Sequence, residues 1–388
     1  MNIFLFLSLC FLFVFVFGRL IEKFRIPWVF SALILGAIFA IYNPFTAITS
    51  SETFNFLAEL GMYFLLFMIG LEIDLKKFKE SSAFIFKSTF FIIFLEAIFG
   101  GLLIHFVFDC SWLVSLIVSL SFATVGEAIL IPILDEFKII NTKLGQSIIG
   151  IGFLDNTIEL VILIGVIFLT GTAAASSGFS IVLVLLSLLF LFFLTYAASK
   201  FKSKAQSFSH FPVEIVFLFS LFLLFLFIGI GEYAHATPIA ALLAGIALKT
   251  FMPEARLLTI ENEIKALCYG FFTPIFFLWV GLSININSLL TSPLLILLVV
   301  AVSKTAKLLG SYLAAKKELG AKQSILLGIG LSVRFSTSII IIKILFDSNI
   351  IDANLYSVII ASSIVFKFIV PILFSNLIVR WGVAPIKA

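Results

Sequence analysis

Charge is scarce in this sequence. Of 388 residues, 12% are Asp, Glu, Lys or Arg, against 62% hydrophobic. Soluble domains carry about 25% charged and about 45–50% apolar residues. So much apolar bulk, with 49 phenylalanines in it, cannot be covered in water by the few polar residues available. That excludes a soluble globular protein and leaves an integral membrane protein. Cysteine and histidine are sparse too. Cys10, Cys110 and Cys268 show no paired or metal-like spacing and read as apolar fillers. His105, His210 and His235 are scattered and form no ligand cluster. No nucleophile elbow or phosphate-cradling loop occurs, which argues against a membrane enzyme. No cofactor is expected. The net charge of +4 follows from where the charges sit, as set out below, and implies no nucleic-acid partner.

What is present is a series of apolar runs, each long enough to cross a bilayer at about 17–25 residues. They predict an all-α polytopic membrane protein of about thirteen spans: 2–18, 27–42, 53–71, 83–107, 112–134, 144–170, 178–199, 211–231, 237–250, 262–283, 290–315, 322–346 and 353–380. The opening MNIFLFLSLCFLFVFVF has no basic residue before its apolar run and no small-residue cleavage site. Its positive charges, Arg19, Lys23 and Arg25, follow the run. That is the pattern of a retained first helix with its N-terminus outside.

The connections support this reading. Those after odd-numbered spans hold RLIEKFR, DLKKFK, DEFKIINTK, SKFKSK, KTFMPEARLLTIENEIK and AKKELGAK, followed by the terminal RWGVAPIK. Those after even-numbered spans contain no Lys or Arg. Positive charge favours the cytoplasmic side, so the C-terminus is expected in the cytoplasm.

Thirteen spans divide as six, one and six. The expected organisation is a first repeat over 1–171, a linker helix over 172–205 and a second repeat of inverted topology over 206–388, an architecture common among secondary transporters. The fifth span of each half is interrupted, by FATVGEA (122–128) and by GLSVRFSTS (330–338). Matched interruptions predict two discontinuous helices crossing near the midplane, although small residues also serve ordinary helix contacts.

A charge at the bilayer centre costs about 2.5–3.5 kcal/mol on insertion scales, so each needs a partner, water or a function. Lys87 and Lys265 lie near cytoplasmic ends and can snorkel. Lys343 has Asp347 four residues on as a partner, and Lys367 has no evident place. The rest concentrate on a few spans: Glu127 and Arg334 at the two interruptions, Asp155 and Glu159 in span 6, and Lys304 and Lys307 in span 11. Asp155 and Glu159, four apart, share a helix face, with Asn156 about 100° around. Structural ion pairs are one reading. The other is a carboxylate exchanging a cation for a proton, with a lysine as counter-charge. A carboxylate is a hard oxygen ligand for an alkali cation and also binds a proton, so the two compete for the same atoms. Hydroxyls and carbonyls at a helix break, Thr124 and Ser336 among them, can replace the ion's hydration water.

Five stretches carry a family resemblance: LLFMIGLEIDLKKFK (65–79), FATVGEAILIPILDEFKIINTKLGQSIIGIGFLDN (122–156), ATPIAALLAGIAL (236–248), FFTPIFFLWVGLSININ (271–287) and KLLGSYLAAKKELGAKQSILLGIGLSVRFSTS (307–338). Together they span nearly the whole chain. They resemble the bacterial monovalent cation:proton antiporters, the Kef-like sodium or potassium/proton exchangers. The resemblance implies exchange of Na+ or K+ for H+ at the bacterial cytoplasmic membrane. It also implies a homodimer with a dimerisation domain and a mobile six-helix core moving in an elevator-like way.

The resemblance carries over unevenly to the site. Many members have Asp-Asp at the ion site, the second acid being the usual ion-binding residue. Aligned on that pair, Asp155 is the first acid and Asn156 stands at the second. Either Asp155 takes over the role, with Glu159 beside it, or the register is shifted, or the chain is an Asp-to-Asn variant with impaired transport. The alkali cation is expected at Asp155 and Asn156. Lys307 matches the family's counter-charge, with Lys304 the alternative. Arg334 resembles an arginine of the family's Pro-Arg-Gly-Glu segment, whose glycine and glutamate are missing here, and Glu127 matches no family role. Kef-like relatives often carry a cytosolic nucleotide-binding domain after the last span. With about eight residues left beyond 380, that regulation is expected to be absent or truncated. A gated cation channel is the main competing class, since interrupted helices serve pores as well. A sugar or anion carrier fits less well, because the site offers carboxylates rather than a cationic clamp.

Overall fold

The computed structural model describes residues 2–23, 27–72, 82–121, 134, 137–174, 178–200, 211–233, 236–291, 293–332 and 336–383. Helices dominate these residues and no strand occurs among them. In hydrocarbon every backbone N–H and C=O must be satisfied within the segment, and a helix does this.

The longer helices are α1 (Ile3–Glu22), α2 (Phe30–Ile41), α3 (Glu52–Glu72), α4 (Ala83–Phe108), α5 (Trp112–Ser121), α6 (Lys143–Ala174), α7 (Gly178–Lys200), α8 (Val213–Tyr233), α9 (Thr237–Phe251), α10 (Glu254–Leu267), α11 (Thr273–Leu282), α12 (Pro293–Gly330), α13 (Ser336–Asp347) and α14 (Ala353–Arg380). Among the described residues, seven helical segments are long and apolar enough to cross a membrane, and four more are apolar but shorter. Polar caps set several ends. The Ser82 hydroxyl accepts from the Ile85 N–H at 3.3 Å at the start of α4. Asp352 accepts from the Leu355 N–H at 2.8 Å at the start of α14, and Pro238 stands in the first turn of α9.

The last span was predicted at 353–380 and α14 has those bounds. One boundary differs widely. The tenth span was predicted to begin near 262, yet the helix begins at Glu254, after Pro253, and passes through a π-helical turn at Cys268–Phe272 into α11. Its first turns, EARLLTIENEIK, mix charged and apolar residues. They are good helix formers but invisible to a search for apolar runs. The connection predicted between spans 11 and 12 is a sharp turn at Gly320, whose φ of 77° and ψ of 168° suit glycine alone. The chain folds back there: a Cβ on Gly328 would lie 3.0 Å from the Leu308 Cα, so α12 comprises two helices packed on each other.

The interruptions are only partly in view. α5 stops at Ser121, and Thr124 and Glu127 lie outside the described residues. α12 ends at Gly330 and α13 begins at Ser336, with Arg334 outside the described residues.

The chain divides into two compact units, each drawing on both halves of the sequence. The first comprises residues 1–15, 29–73 and 164–282, the second 16–28, 74–163 and 283–388.

In the first unit two helix pairs cross at glycines. A Cβ on Gly36 of α2 would fall 2.2 Å from the Leu278 carbonyl oxygen of α11, and one on Gly281 would fall 2.3 Å from that of Leu33. A Cβ on Gly70 of α3 would lie 2.2 Å from the Leu242 oxygen of α9, and one on Gly245 would lie 2.2 Å from that of Phe67. Lipid removes the hydrophobic drive between helices, so close backbone approach of this kind does much of the packing. The sequence around the glycines repeats as well: IGLEIDL (69–75) parallels VGLSINI (280–286). Aromatic packing fills the rest, with Phe6 edge-on to Phe45 and Phe54 and Phe64 stacked on Phe272 at 4.3 Å.

In the second unit, α4, α6, α12 and α14 enclose an apolar cluster that includes Ile92, Ile148, Ile151, Leu326 and Phe374. Exposed Lys143 bonds Glu318 at 2.6 Å. Buried Lys343 pairs with Asp347, the partner its spacing suggested. The side chain of Lys367 lies outside the described residues.

Candidate functional site

The ionisable residues singled out in spans 6 and 11 meet inside the second unit. α6 opens as KLGQSIIGIGFLDN, apolar enough to be buried on several sides. Its position brings Asp155 and Glu159 inward on one face, at 4% and 2% exposure, while Asn156 is half-buried. From α12, Lys307 is 3% exposed and its Nζ lies 3.6 Å from Asp155 Oδ2. The same Nζ lies 3.4 Å from Glu96 Oε1 of α4.

Gly310 accounts for this approach. A Cβ there would stand 3.1 Å from the Cα of Ile92, so α12 lies directly on α4. Moving from Gly310 back to Lys307, and from Ile92 on to Glu96, advances each helix about one turn in opposite directions. An antiparallel pair in contact at Ile92 and Gly310 therefore sets the carboxylate against the ammonium. Across the other side of α4, the Ser119 hydroxyl of α5 donates to the Glu96 carbonyl at 2.8 Å and ties those two helices together.

The remaining residues are placed as follows. Glu159 Oε1 accepts from the Ser338 hydroxyl of α13 at 3.2 Å. Lys304, one turn from Lys307, donates to the Ser332 carbonyl at 3.0 Å, near the end of α12. Thus Lys307 meets Asp155, while Lys304 holds the backbone beside the second interruption. Thr157 turns back to the Phe153 carbonyl at 2.8 Å and offers its hydroxyl hydrogen to α6 itself. Ser336 opens α13, and nothing beyond its backbone is described. Ser311, one turn past Lys307, is fully buried, and its hydroxyl has no hydrogen-bond partner among the described residues.

Glu96 was not among the sequence candidates. The signal was there: a carboxylate in the middle of FIIFLEAIFGG, the interior of a 26-residue apolar helix. It belongs to no motif of the family resemblance.

The cluster is chemically specific. Two carboxylates and one ammonium are removed from water, which is tolerated only when the charges are paired or neutralised. Carboxylate oxygens are hard donors that bind either a proton or a small cation. Among the described residues no group of three or more His, Cys, Asp or Glu is placed to hold a metal ion.

Residues 9–379 match the family described as sodium/hydrogen exchanger, transmembrane. The chain belongs to this family. Among similar proteins, the probable Na(+)/H(+) antiporter 3 of Methanocaldococcus jannaschii is 27% identical over 371 residues, covering 94% of each chain. The Na(+)/H(+) antiporter of Enterococcus hirae is 26% identical over 343 residues, 87% of this chain and 88% of its own. Among solved structures, the sodium proton antiporter MjNhaP1 from M. jannaschii, at pH 8, superposes with a TM-score of 0.58 at 18% identity, covering 97% of this chain and 96% of that one. At that identity the likeness is one of fold. This exchanger-family chain thus carries its buried carboxylate–lysine cluster in a unit built from α4, α5, α6, α12, α13 and α14.

Proposed function

We propose that this protein exchanges Na+, or K+, for H+ across the bacterial cytoplasmic membrane by alternating access, with Asp155 as the titrating residue. The observation that carries the reading is buried Asp155 on α6 facing buried Lys307 at 3.6 Å. A proton and a cation compete for the Asp155 oxygens, so one leaves as the other binds. Lys307 offsets the carboxylate in the ion-free state. It weakens cation binding enough to permit release. Asn156, half-buried beside Asp155, contributes an uncharged amide oxygen, and Glu159 supports α13 through Ser338. Membership of the exchanger family and the names of the relatives favour exchange over a gated pore.

The second unit, which carries the whole cluster, is the mobile core in this reading, and the first unit is the dimerisation domain of a homodimer. The core moves in an elevator-like way. The two glycine crossings support inverted six-span repeats: the second span of the first half meets the third of the second half at Gly36 and Gly281, and the third meets the second at Gly70 and Gly245. Exchanging the halves exchanges the two crossings. Charge in the connections favours an external N-terminus and a cytoplasmic C-terminus.

The test is reconstitution into liposomes holding a pH dye. Saturable alkalinisation or acidification of the lumen in response to Na+ or K+ pulses is expected. Silence in both ions, or ion conductance with no coupled proton movement, would contradict the proposal, the second outcome pointing to a channel.

A further inference from the structure

Glu96 has no part in the exchange as set out so far, yet it is as buried as Asp155 and as near to Lys307. The three side chains are 3–4% exposed, with Lys307 Nζ 3.4 Å from Glu96 and 3.6 Å from Asp155. As ions they sum to one negative charge. Among the described residues, the charged groups nearest them do not change that sum. Glu159 and Lys304 lie one turn away on the same helices, are held by Ser338 and Ser332, and cancel as ions. Lys343 and Asp347 are paired with each other.

A buried site left at −1 is strongly disfavoured and reaches neutrality by binding one proton or one monovalent cation. With Asp155 and Lys307 alone the site is already neutral, so a bound proton or cation leaves it at +1 and is held more weakly. We infer that Glu96 supplies the second carboxylate of the exchange site, and that its charge is what obliges the cluster to bind H+ or a cation in turn. This inference rests on the exchange reading above. In each cycle the two carboxylates give up one proton on one side and take one cation, then release the cation and take a proton on the other side. Lys307 stays charged throughout, and both loaded forms are neutral.

The experiment compares the parent chain, Glu96→Gln, and Glu96→Gln/Lys307→Gln in liposomes with an internal pH dye, pulsed with Na+ and with K+. Glu96→Gln leaves a neutral pair, and its cation-driven proton movement per folded protein is expected to fall by at least about tenfold. The double variant returns the site to −1, on Asp155 alone, and is expected to regain exchange over Glu96→Gln. A second readout is melting in detergent: Na+ or K+ should stabilise the parent and the double variant but not Glu96→Gln. A structural role for Glu96 would lower melting temperature without this reversal by charge.

An active parent with Glu96→Gln equally active per folded protein would overturn the role of Glu96 and leave the exchange reading intact. So would a double variant with no gain over an inactive Glu96→Gln. A silent parent would contradict the exchange reading itself and take this inference with it. If Glu96→Gln is recovered only unfolded, the double variant decides alone, because it removes both ends of the 3.4 Å pair. Exchange in it supports the inference, and none overturns it.

Discussion

Lys307 on α12 stands between Asp155 on α6 and Glu96 on α4, close enough to pair with either and fully withdrawn from solvent. A lysine so placed both holds the helices together and opposes a cation arriving at Asp155. These two roles separate experimentally.

Replacing Lys307 by Ala leaves two buried carboxylates facing each other. Removing one partner of a buried pair costs about 3–5 kcal/mol, so Lys307→Ala is expected to melt well below the parent in detergent, as followed by fluorescence-detected gel filtration. In the folded fraction, the missing ammonium no longer opposes the cation. A lower KM for Na+ with slower turnover is expected in liposomes, and an unchanged KM would contradict the counter-charge role.

Lys304 gives the contrast. It donates to the Ser332 carbonyl at 3.0 Å, a charge-assisted hydrogen bond of about 1.5–3 kcal/mol. Lys304→Gln is expected to lower the melting temperature modestly and leave the cation KM near that of the parent. A KM shift as large as that of Lys307→Ala would move the counter-charge role to Lys304.

Asn156→Asp tests how the site copes with an amide where relatives of the resembled type carry a second acid. With Asp155 titrating, the parent exchanges and Asn156→Asp adds a further negative charge, so tighter cation binding is expected in both the KM and the cation-induced melting shift. Activity only in Asn156→Asp, with a silent parent, would instead mark the chain as an impaired Asp-to-Asn form.

Away from the site, Gly281→Leu forces a side chain into the α2 backbone, since even a Cβ meets the Leu33 oxygen at 2.3 Å. Overpacking costs about 1–3 kcal/mol and more where backbone must move. Expression with a sharply reduced melting temperature is expected. Glu318→Gln, which breaks only the exposed pair with Lys143, should change stability by no more than about 1 kcal/mol. Equal effects from the two substitutions would contradict the packing role given to the glycine crossing.

Helix positions were legible in the sequence wherever apolar runs were long and bounded by caps or charge, as at α4 and α14. They were misread where the helix is polar on several sides, as at Glu254–Leu267. The choice of which lysine meets Asp155 depends on which face of α12 lies against α4 and α6. Spacing leaves Lys304 and Lys307 equivalent; the family resemblance favoured Lys307, and the packing at Gly310 gives the physical reason. Glu96 was hidden for a different reason. Its partners are 59 and 211 residues away in the chain, so no local pattern announces it. The glycine crossings were half visible, since IGLEIDL and VGLSINI repeat in the sequence, but their contacts are with other helices and not with each other.

The central claim is that Asp155 binds the cation and the proton in turn. The most direct measurement is the rate of lumenal pH change in liposomes bearing the parent chain or Asp155→Asn, pulsed with Na+ and then K+ at matched amounts of folded protein. The account predicts saturable, cation-dependent proton movement in the parent for at least one ion, and the background of protein-free liposomes for Asp155→Asn. Equal rates in the two would contradict it.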